Sequence, residues 1–430
     1  MITLQPVNET NFLAVCALKP AREQQAFALP APMILARAYA YRAQRARAWA
    51  ICLDQRPIGV LLVEDMEEEP SCYHLAELLI DEAYQQKGYA AAALRLLLPI
   101  LQAEKKFPRI ELCVKRENHA AIRFYASFGF MDSGYTDPDA PDSLCMVRPL
   151  QTTLAAALGF SAQDALRIDT AFSEREATYR RWAETAYDGE VPDFPICRRT
   201  PLERLVCVLV KLAELRGRYA EKGIGEDVFF ATASDVRLHQ RLYLEKTGQL
   251  GLSRSDVIWL RHLFGCRLFQ LGSLQFQMLP MIYLDQEGCG EDYMRYAPEQ
   301  KERLPAGSPV INVHIPHGAD LSPQAVEESL SHAAAFFARH FDYHARAFLC
   351  CSWLLYPGMR PLLPPHSNIA QFAARWTIIG EAKDASEAIS RIYGGRRGKT
   401  ADYPQRTSLQ RAALHHFSCL GEAYGIIEIA

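Results

Sequence analysis

The chain has 430 residues, of which 49% are hydrophobic and 23% charged, with a formal net charge of −3. At about 150 residues per domain this length calls for two or three domains, and the composition excludes a disordered, collagenous or coiled-coil chain. The weak net charge leaves no basic footprint for nucleic acid. The densest apolar run, 90–101, is broken by Arg95 and Pro99, so no membrane-spanning helix is expected.

Residues 1–150 alternate strand and helix patterns. Short apolar runs read as strands at 2–7, 48–53, 58–64, 73–80, 109–114 and 143–147. Two helical stretches, 90–105 and 119–128, stand among them, with weaker ones before Trp49. Four of the strands fall in two neighbouring pairs, which predicts a mixed α/β sheet flanked by helices rather than a doubly wound parallel one. From 154 to 275 the reading is mainly helical, at 162–172, 174–187, 201–219 and 254–268. Thr200, Pro201 and Glu203 make a capping box with proline at the first helical position. Strand patterns return at 276–284, 309–315, 346–355 and 375–379, and a helix at 323–340 opens on Ser322-Pro323. The expected domains are therefore 1–150, α/β; 151–275, helical; and 276–430, α/β again.

Twelve cysteines at irregular intervals include no CxxC. Several sit in apolar runs, which predicts free thiols in a reducing cytoplasm and no zinc site. The first residues, MITLQPVNETNF, show no basic segment followed by an apolar core, so no signal peptide is expected.

Two sequences in the first block carry chemistry. In 78–90 (LLIDEAYQQKGYA) an apolar strand runs through a polar loop and a glycine into an Ala/Leu helix. The free N–H groups and macrodipole of such a helix start can hold an anion, although many such joints merely turn the chain. In 118–130 (NHAAIRFYASFGF) Asn118 suits an N-cap and Gly129 a position of positive φ beyond the helix. Tyr125 reads as a core tyrosine whose hydroxyl still needs a partner.

QQKGYA followed by N-x-x-A-I-x-x-Y-x-x-x-G-F resembles the GNAT superfamily of acyl-CoA-dependent N-acetyltransferases, over the whole of 1–150. The segment 19–39 resembles the spermine/spermidine acetyltransferase branch. This likeness implies acetyl-CoA as co-substrate, held by Gln85, Gln86, Lys87, Gly88, Tyr89, Ala90 and Asn118. It further implies that backbone donors of Leu78, Leu79 and Ile80 receive the pantetheine arm and thioester. It makes Tyr125 the acid for the thiolate. A carboxylate must serve as base; Glu77, the one charge in the alternation Tyr73, Leu75, Glu77, Leu79, is the candidate, against a rim carboxylate in an ion pair. Relatives that acetylate protein N-termini carry a glutamate where Cys113 stands, which argues against that activity. Glu64, Asp65, Glu67, Glu68 and Glu69 read as a solvated hairpin, able to attract a polycation if it lies over the acceptor cleft.

Strings at 225–235, 268–276, 311–316, 348–355 and 363–369 resemble a bacterial acyltransferase-domain family with a helical N-acyltransferase-like half and a GNAT-like C-terminal half. Ser273 and Cys351 depart from its arginine and histidine. His314 and His317 form an HxxH on a strand, whose i and i+3 positions point to opposite faces, so a shared metal is not expected; His314 reads as a core histidine or a base. Ser352 and His366 offer a nucleophile pair that nothing local orients. The 394–400 segment, GGRRGKT, fails phosphate-loop spacing and reads as a basic loop.

The expectation is thus an enzyme that moves an acetyl group from acetyl-CoA to a small primary amine, a polyamine leading, without metal, nucleic acid or membrane partner. Homo-oligomerisation is left open. The alternative is an acyl-CoA-binding sensor or assembly module, with a C-terminal half that is non-catalytic or serves another acceptor.

Overall fold

The computed structural model describes residues 1–68, 71–138, 140–150, 153–395, 399 and 402–429. Two compact units divide the chain: Met1–Ala183 with Leu205–Leu209, and Glu184–Arg204 with Val210–Ala430.

In the first unit seven strands form one sheet: β1 (Ile2–Pro6), β2 (Arg47–Leu53), β3 (Arg56–Met66), β4 (Cys72–Ile80), β5 (Arg109–Lys115), β6 (Met131–Asp132) and β7 (Ser143–Pro149), in the order β1-β2-β3-β4-β5-β7-β6. Neighbours are antiparallel except β4 and β5. That parallel pair requires a crossover, supplied by the helix Tyr89–Glu104. The helix buries Ala93, Leu94, Leu97 and Leu101 against Tyr73, Leu75, Ile110 and Leu112. The opposite face lays Val60, Leu62 and Leu79 against Val15, Ala31 and Ile34, from the helices Phe12–Cys16 and Ala31–Ala40. The six expected strands are present; two-residue β6 is too short to show an alternation.

Two irregularities in β4 shape the site. First, β4 and β5 pair only at Tyr73↔Ile110 and His74↔Glu111. Beyond this the strands part, and the second half of β4 has no partner on that side. Second, Leu62 faces Glu77 while Val63 faces Leu75, so Ala76 is an extra residue. Such a bulge reverses the pleat. Leu78 and Ile80 join Tyr73 and Leu75 on the long-helix side, while Leu79, and with it Glu77, turns to the other face. The expected alternation of Tyr73, Leu75, Glu77 and Leu79 on one face is therefore broken.

The second unit carries a six-stranded sheet of β8 (Leu268–Leu271), β9 (Leu274–Pro280), β10 (Pro309–His314), β11 (Ala347–Ser352), β12 (Thr377–Ala382) and β13 (Glu422–Glu428), ordered β12-β13-β11-β10-β9-β8. Again the one parallel pair, β10 with β11, is bridged by a long helix, Pro323–Phe341. The sheet starts at Leu268, earlier than the sequence pattern indicates, because β8 has only four residues. The Glu226–Thr247 helix gives no clear periodic signal, yet it buries Val228, Phe229, Ala233 and Val236. Thr200 and Glu203 form the expected capping box. Ser322 occupies its N-cap position without a side-chain bond.

Candidate functional site

The amide of Asp81 donates to the Ile58 carbonyl at 2.9 Å. Antiparallel alternation then turns the Leu79 amide toward β3, and those of Leu78 and Ile80 toward the open side. Ile80 O is approached there by Gln85 Nε2 at 2.9 Å, which also donates to Gln24 Oε1 at 2.9 Å.

Next the chain makes two left-handed residues in three, Gln86 (φ 60°) and Gly88 (φ 80°). The latter lets the helix begin at once; its first bonded amide is Ala92, which donates to the Gly88 carbonyl at 3.0 Å. Among the described residues the amides of Gln86, Lys87, Gly88, Tyr89, Ala90 and Ala91 meet no intramolecular acceptor. Nothing lies within 4 Å of where a Gly88 Cβ would stand. Six free donors at the positive end of a 16-residue helix are able to hold an anion. Lys87 Nζ folds back to the Ala83 carbonyl at 2.9 Å. Asn118 is the expected N-cap, its Oδ1 accepting from the Ala121 amide at 3.1 Å. Gly129 has φ 83° beyond a helix that ends at Ala126.

The Tyr125 ring packs edge-on to Phe124 and Phe130, with centroids 5.2 and 5.6 Å away. Its hydroxyl has no hydrogen-bond partner among the described residues. Burial, and then the charge of Glu77, push its pKa up, so it keeps its proton. Burial also raises the pKa of Glu77, with Arg37 opposing. Arg37 Nη1 is 3.8 Å from Glu77, but Nε and Nη2 are committed to Glu64 at 2.7 and 3.0 Å. Glu77 is thus neither a free rim carboxylate nor a fully paired one.

The acidic run is a solvated hairpin only in its second half. β3 extends to Met66 and leaves Glu64 and Asp65 buried, whereas Glu67 is exposed in the connection to β4. Arg37 closes Glu64; Arg45, Arg47 and Lys106 surround Asp65, and Lys106 also takes Glu67. Cationic side chains outcompeted solvent because strand pairing carried these acids inward. Glu68 is exposed, and Glu69 lies outside the described residues. Cys113 Sγ stands 3.0 Å from Cys145 Sγ; burial and then Cys145 push it up to about 12, so this thiol is no base at neutral pH.

Sequence reasoning missed Arg37, His74 and Glu111, which share the Glu77 face. Only the bulge and the cross-strand register bring them together, and neither leaves a local pattern.

In the second unit β10 and β11 also part, after Asn312↔Leu349. His314 ends β10, its Nε2 2.9 Å from Gln277 Oε1 and 3.0 Å from Asn312 Nδ2, while Gln277 Nε2 lies 3.1 Å from His262 Nδ1. Burial first, then neighbouring positive charge, hold both histidines at about 4. His317 is exposed. Ser352 Oγ accepts from the Leu354 amide, and no hydrogen bond joins it to His366. Residues 396–398 and 400 of the basic segment lie outside the described residues.

Residues 17–130 match the acetyltransferase (GNAT) family, 152–266 the N-acyltransferase N-terminal domain, and 268–426 the GNAT-like C-terminal domain. L-amino acid N-acetyltransferase AaaT of Escherichia coli (strain K12) is 29% identical over 85 residues, covering 19% of this chain and 52% of that protein. The chain thus spans about half the length of the curated relative it matches. Among solved structures, an acyltransferase in complex with decanoyl-CoA is similar at TM-score 0.45 and 24% identity, over 64% of this chain and 82% of that one. An acyltransferase in complex with decanoyl-CoA and teicoplanin is similar at TM-score 0.48 and 21% identity, over 78% and 99%. By its sequence matches, this chain carries a GNAT acetyltransferase domain followed by an N-acyltransferase N-terminal domain and a GNAT-like C-terminal domain.

Proposed function

We propose that the chain is an acyl-CoA-dependent acyltransferase whose first unit moves an acetyl group from acetyl-CoA to a primary amine by direct attack. The observation that carries this reading is the run of six unsatisfied amides, Gln86 to Ala91, beside a parted pair of strands. The cradle takes the pyrophosphate of the donor, and the outward amides of Leu78 and Ile80 are aimed along the opening where the pantetheine arm and thioester would lie. An amide aimed at the developing oxyanion is worth ~3 kcal/mol of transition-state stabilisation. Glu77 removes the ammonium proton, directly or through water. The amine attacks the thioester carbon, the C–S bond breaks, Tyr125 protonates the departing thiolate, and the second proton that the nitrogen sheds on becoming an amide returns through solvent to Tyr125. The raised pKa values of both groups suit these roles, since a base of raised affinity holds the proton and a tyrosine that stays protonated can give it.

A polyamine would have to compete with Arg37, Arg45, Arg47 and Lys106 for Glu64, Asp65 and Glu67, so the acceptor is read only as a primary amine. A cytoplasmic setting fits the twelve unpaired cysteines; among the described residues no helix is long and apolar enough to cross a membrane.

A second reading concerns the C-terminal half. Its parted β10–β11 pair supports acyl-CoA binding, with His314 as a neutral proton acceptor for a different acyl acceptor, or with no turnover. A screen of acetyl-CoA turnover by the full chain against a panel of amines tests both readings. Activity lost in Tyr125→Phe but kept in His314→Gln places turnover in the first unit, the reverse places it in the second, and no turnover with intact donor binding leaves the sensor reading.

A further inference from the structure

In the second unit one carboxamide joins two imidazoles, and the chain they make runs from a helix to the opening of the sheet. Gln277 of β9 stands directly opposite Asn312 of β10, and His314, two residues on, shares their face. β10 parts from β11 after Asn312↔Leu349, so His314 lies at that opening. Gln277 is 5% exposed. Its Oε1 is 2.9 Å from His314 Nε2, and its Nε2 is 3.1 Å from Nδ1 of His262, on the helix Arg254–Phe264. Trp259 of the same helix packs edge-on to both rings, with centroids 4.9 Å from His314 and 5.6 Å from His262. Its own Nε1 donates to Asp235 Oδ2 at 2.8 Å, which anchors it. Among the described residues neither His314 Nδ1 nor His262 Nε2 has a hydrogen-bond partner.

Both imidazoles are held at about 4, so near neutral pH each has one N–H and one bare nitrogen. A carboxamide donates at one end and accepts at the other. Joined through it, the two rings must carry their protons in step: both on Nε2 or, with the amide turned over, both on Nδ1. In the observed direction Gln277 Nε2 donates to His262 Nδ1, and His314 Nε2 donates to Gln277 Oε1. That leaves Nδ1 of His314 bare. Asn312 Nδ2 lies 3.0 Å from the same His314 nitrogen. The Asn312 side chain has no other hydrogen-bond partner among the described residues, so its amide can turn to present Oδ1 to that N–H. Gln277 cannot turn alone, because both of its buried bonds would be lost unless both rings moved their protons as well.

We propose that His262 is a positioning residue that acts through Gln277 to keep the proton of His314 on Nε2, leaving Nδ1 as the acceptor nitrogen. A helix outside the sheet thus decides which atom of the C-terminal half can take a proton. This rests on the reading of His314 as a neutral proton acceptor.

Imidazole nitrogen resonances of the full-length chain, labelled with nitrogen-15 histidine and held near neutral pH, test it, since protonated and bare nitrogens give distinct signals. The rings are assigned by their loss in His314→Gln and His262→Phe, and both should carry their proton on Nε2. His262→Phe, which keeps a ring but offers Gln277 no acceptor, should leave His314 divided between its two tautomers. Gln277→Met cuts the same chain at its middle and should do likewise, which covers a His262→Phe chain that fails to fold. His262→Asp, whose carboxylate only accepts, should keep the single Nε2–H form. A parent His314 that carries its proton on Nδ1, or a single Nε2–H form that survives in either cut variant, overturns the proposal. In a Tyr125→Phe background, which suppresses turnover by the first unit, kcat of His262→Phe should fall with the share of chains left in the competent form, roughly two- to tenfold. KM should hold, and His262→Asp should restore kcat. The tautomers are read with or without turnover, so the two failures separate. Turnover that stays intact in His314→Gln discards the acceptor reading, whereas an unmoved tautomer discards the role of His262.

Discussion

Gly88 is where the proposed donor site is most exposed to test. It has φ 80° and an empty surround, with nothing within 4 Å of a Cβ. Gly88→Glu therefore meets no steric clash in the unliganded chain, and its folding cost is the left-handed backbone alone, ~1–2 kcal/mol. The new carboxylate stands at the mouth of the amide cradle and competes for the donors that would take pyrophosphate. Two unit charges ~4 Å apart repel by ~4 kcal/mol at an effective dielectric of ~20. Gly88 is exposed, so solvent screening reduces this, and ~2–3 kcal/mol is the expected loss of binding. That corresponds to about 30- to 150-fold in the Kd of acetyl-CoA. Gly88→Ala, which adds strain and a methyl but no charge, should lose markedly less. Calorimetry on the full chain reads affinity and site count together, and so separates donor binding in the first unit from binding in the second. Unchanged affinity and site count in Gly88→Glu, with an unchanged circular dichroism spectrum, would refute the assignment of the phosphate site.

Tyr125→Phe should lower kcat by about 10²-fold while acetyl-CoA affinity holds; wild-type kcat under rate-limiting chemistry would return Tyr125 to a packing role. Glu77→Gln should lower kcat and erase the acidic limb of its pH profile. Burial raises the Glu77 pKa, so the parent's activity should climb with pH through a midpoint above the ordinary glutamate value, and a limb that survives the substitution belongs to another group. His262 and His314 are held at about 4 against an ordinary 6.5. Since their folded pKa lies below the unfolded one, the unfolded chain binds more protons between these values. The second unit should therefore lose stability as pH falls from about 6.5 toward 4. Urea midpoints at pH 7 and pH 5 check this, and a difference that persists in the His262→Gln/His314→Gln double variant would rule out these two imidazoles as its source.

The α/β order of the first block, its six longer strands and its two principal helices were legible in the sequence because each is set by local periodicity. Alternation over five or more residues, an N-cap such as Asn118 or Thr200, and a glycine before an Ala/Leu run act within one turn or one strand. The loop 85–90 was legible for the same reason, since a helix start leaves its amides free wherever it falls. What required the tertiary structure was side-chain company. A one-residue bulge at Ala76 moved Glu77 to the opposite face. Strand pairing carried Glu64 and Asp65 inward to meet Arg37, Arg45, Arg47 and Lys106, residues separated from them by up to 41 positions. Glu64, His74 and Glu111 come side by side only in the register of three strands, and the His314–Gln277–His262 chain exists only in the packing of a sheet on a helix. Periodicity is a property of neighbours in the chain, whereas charge pairing, burial and the proton affinities they set depend on neighbours in space.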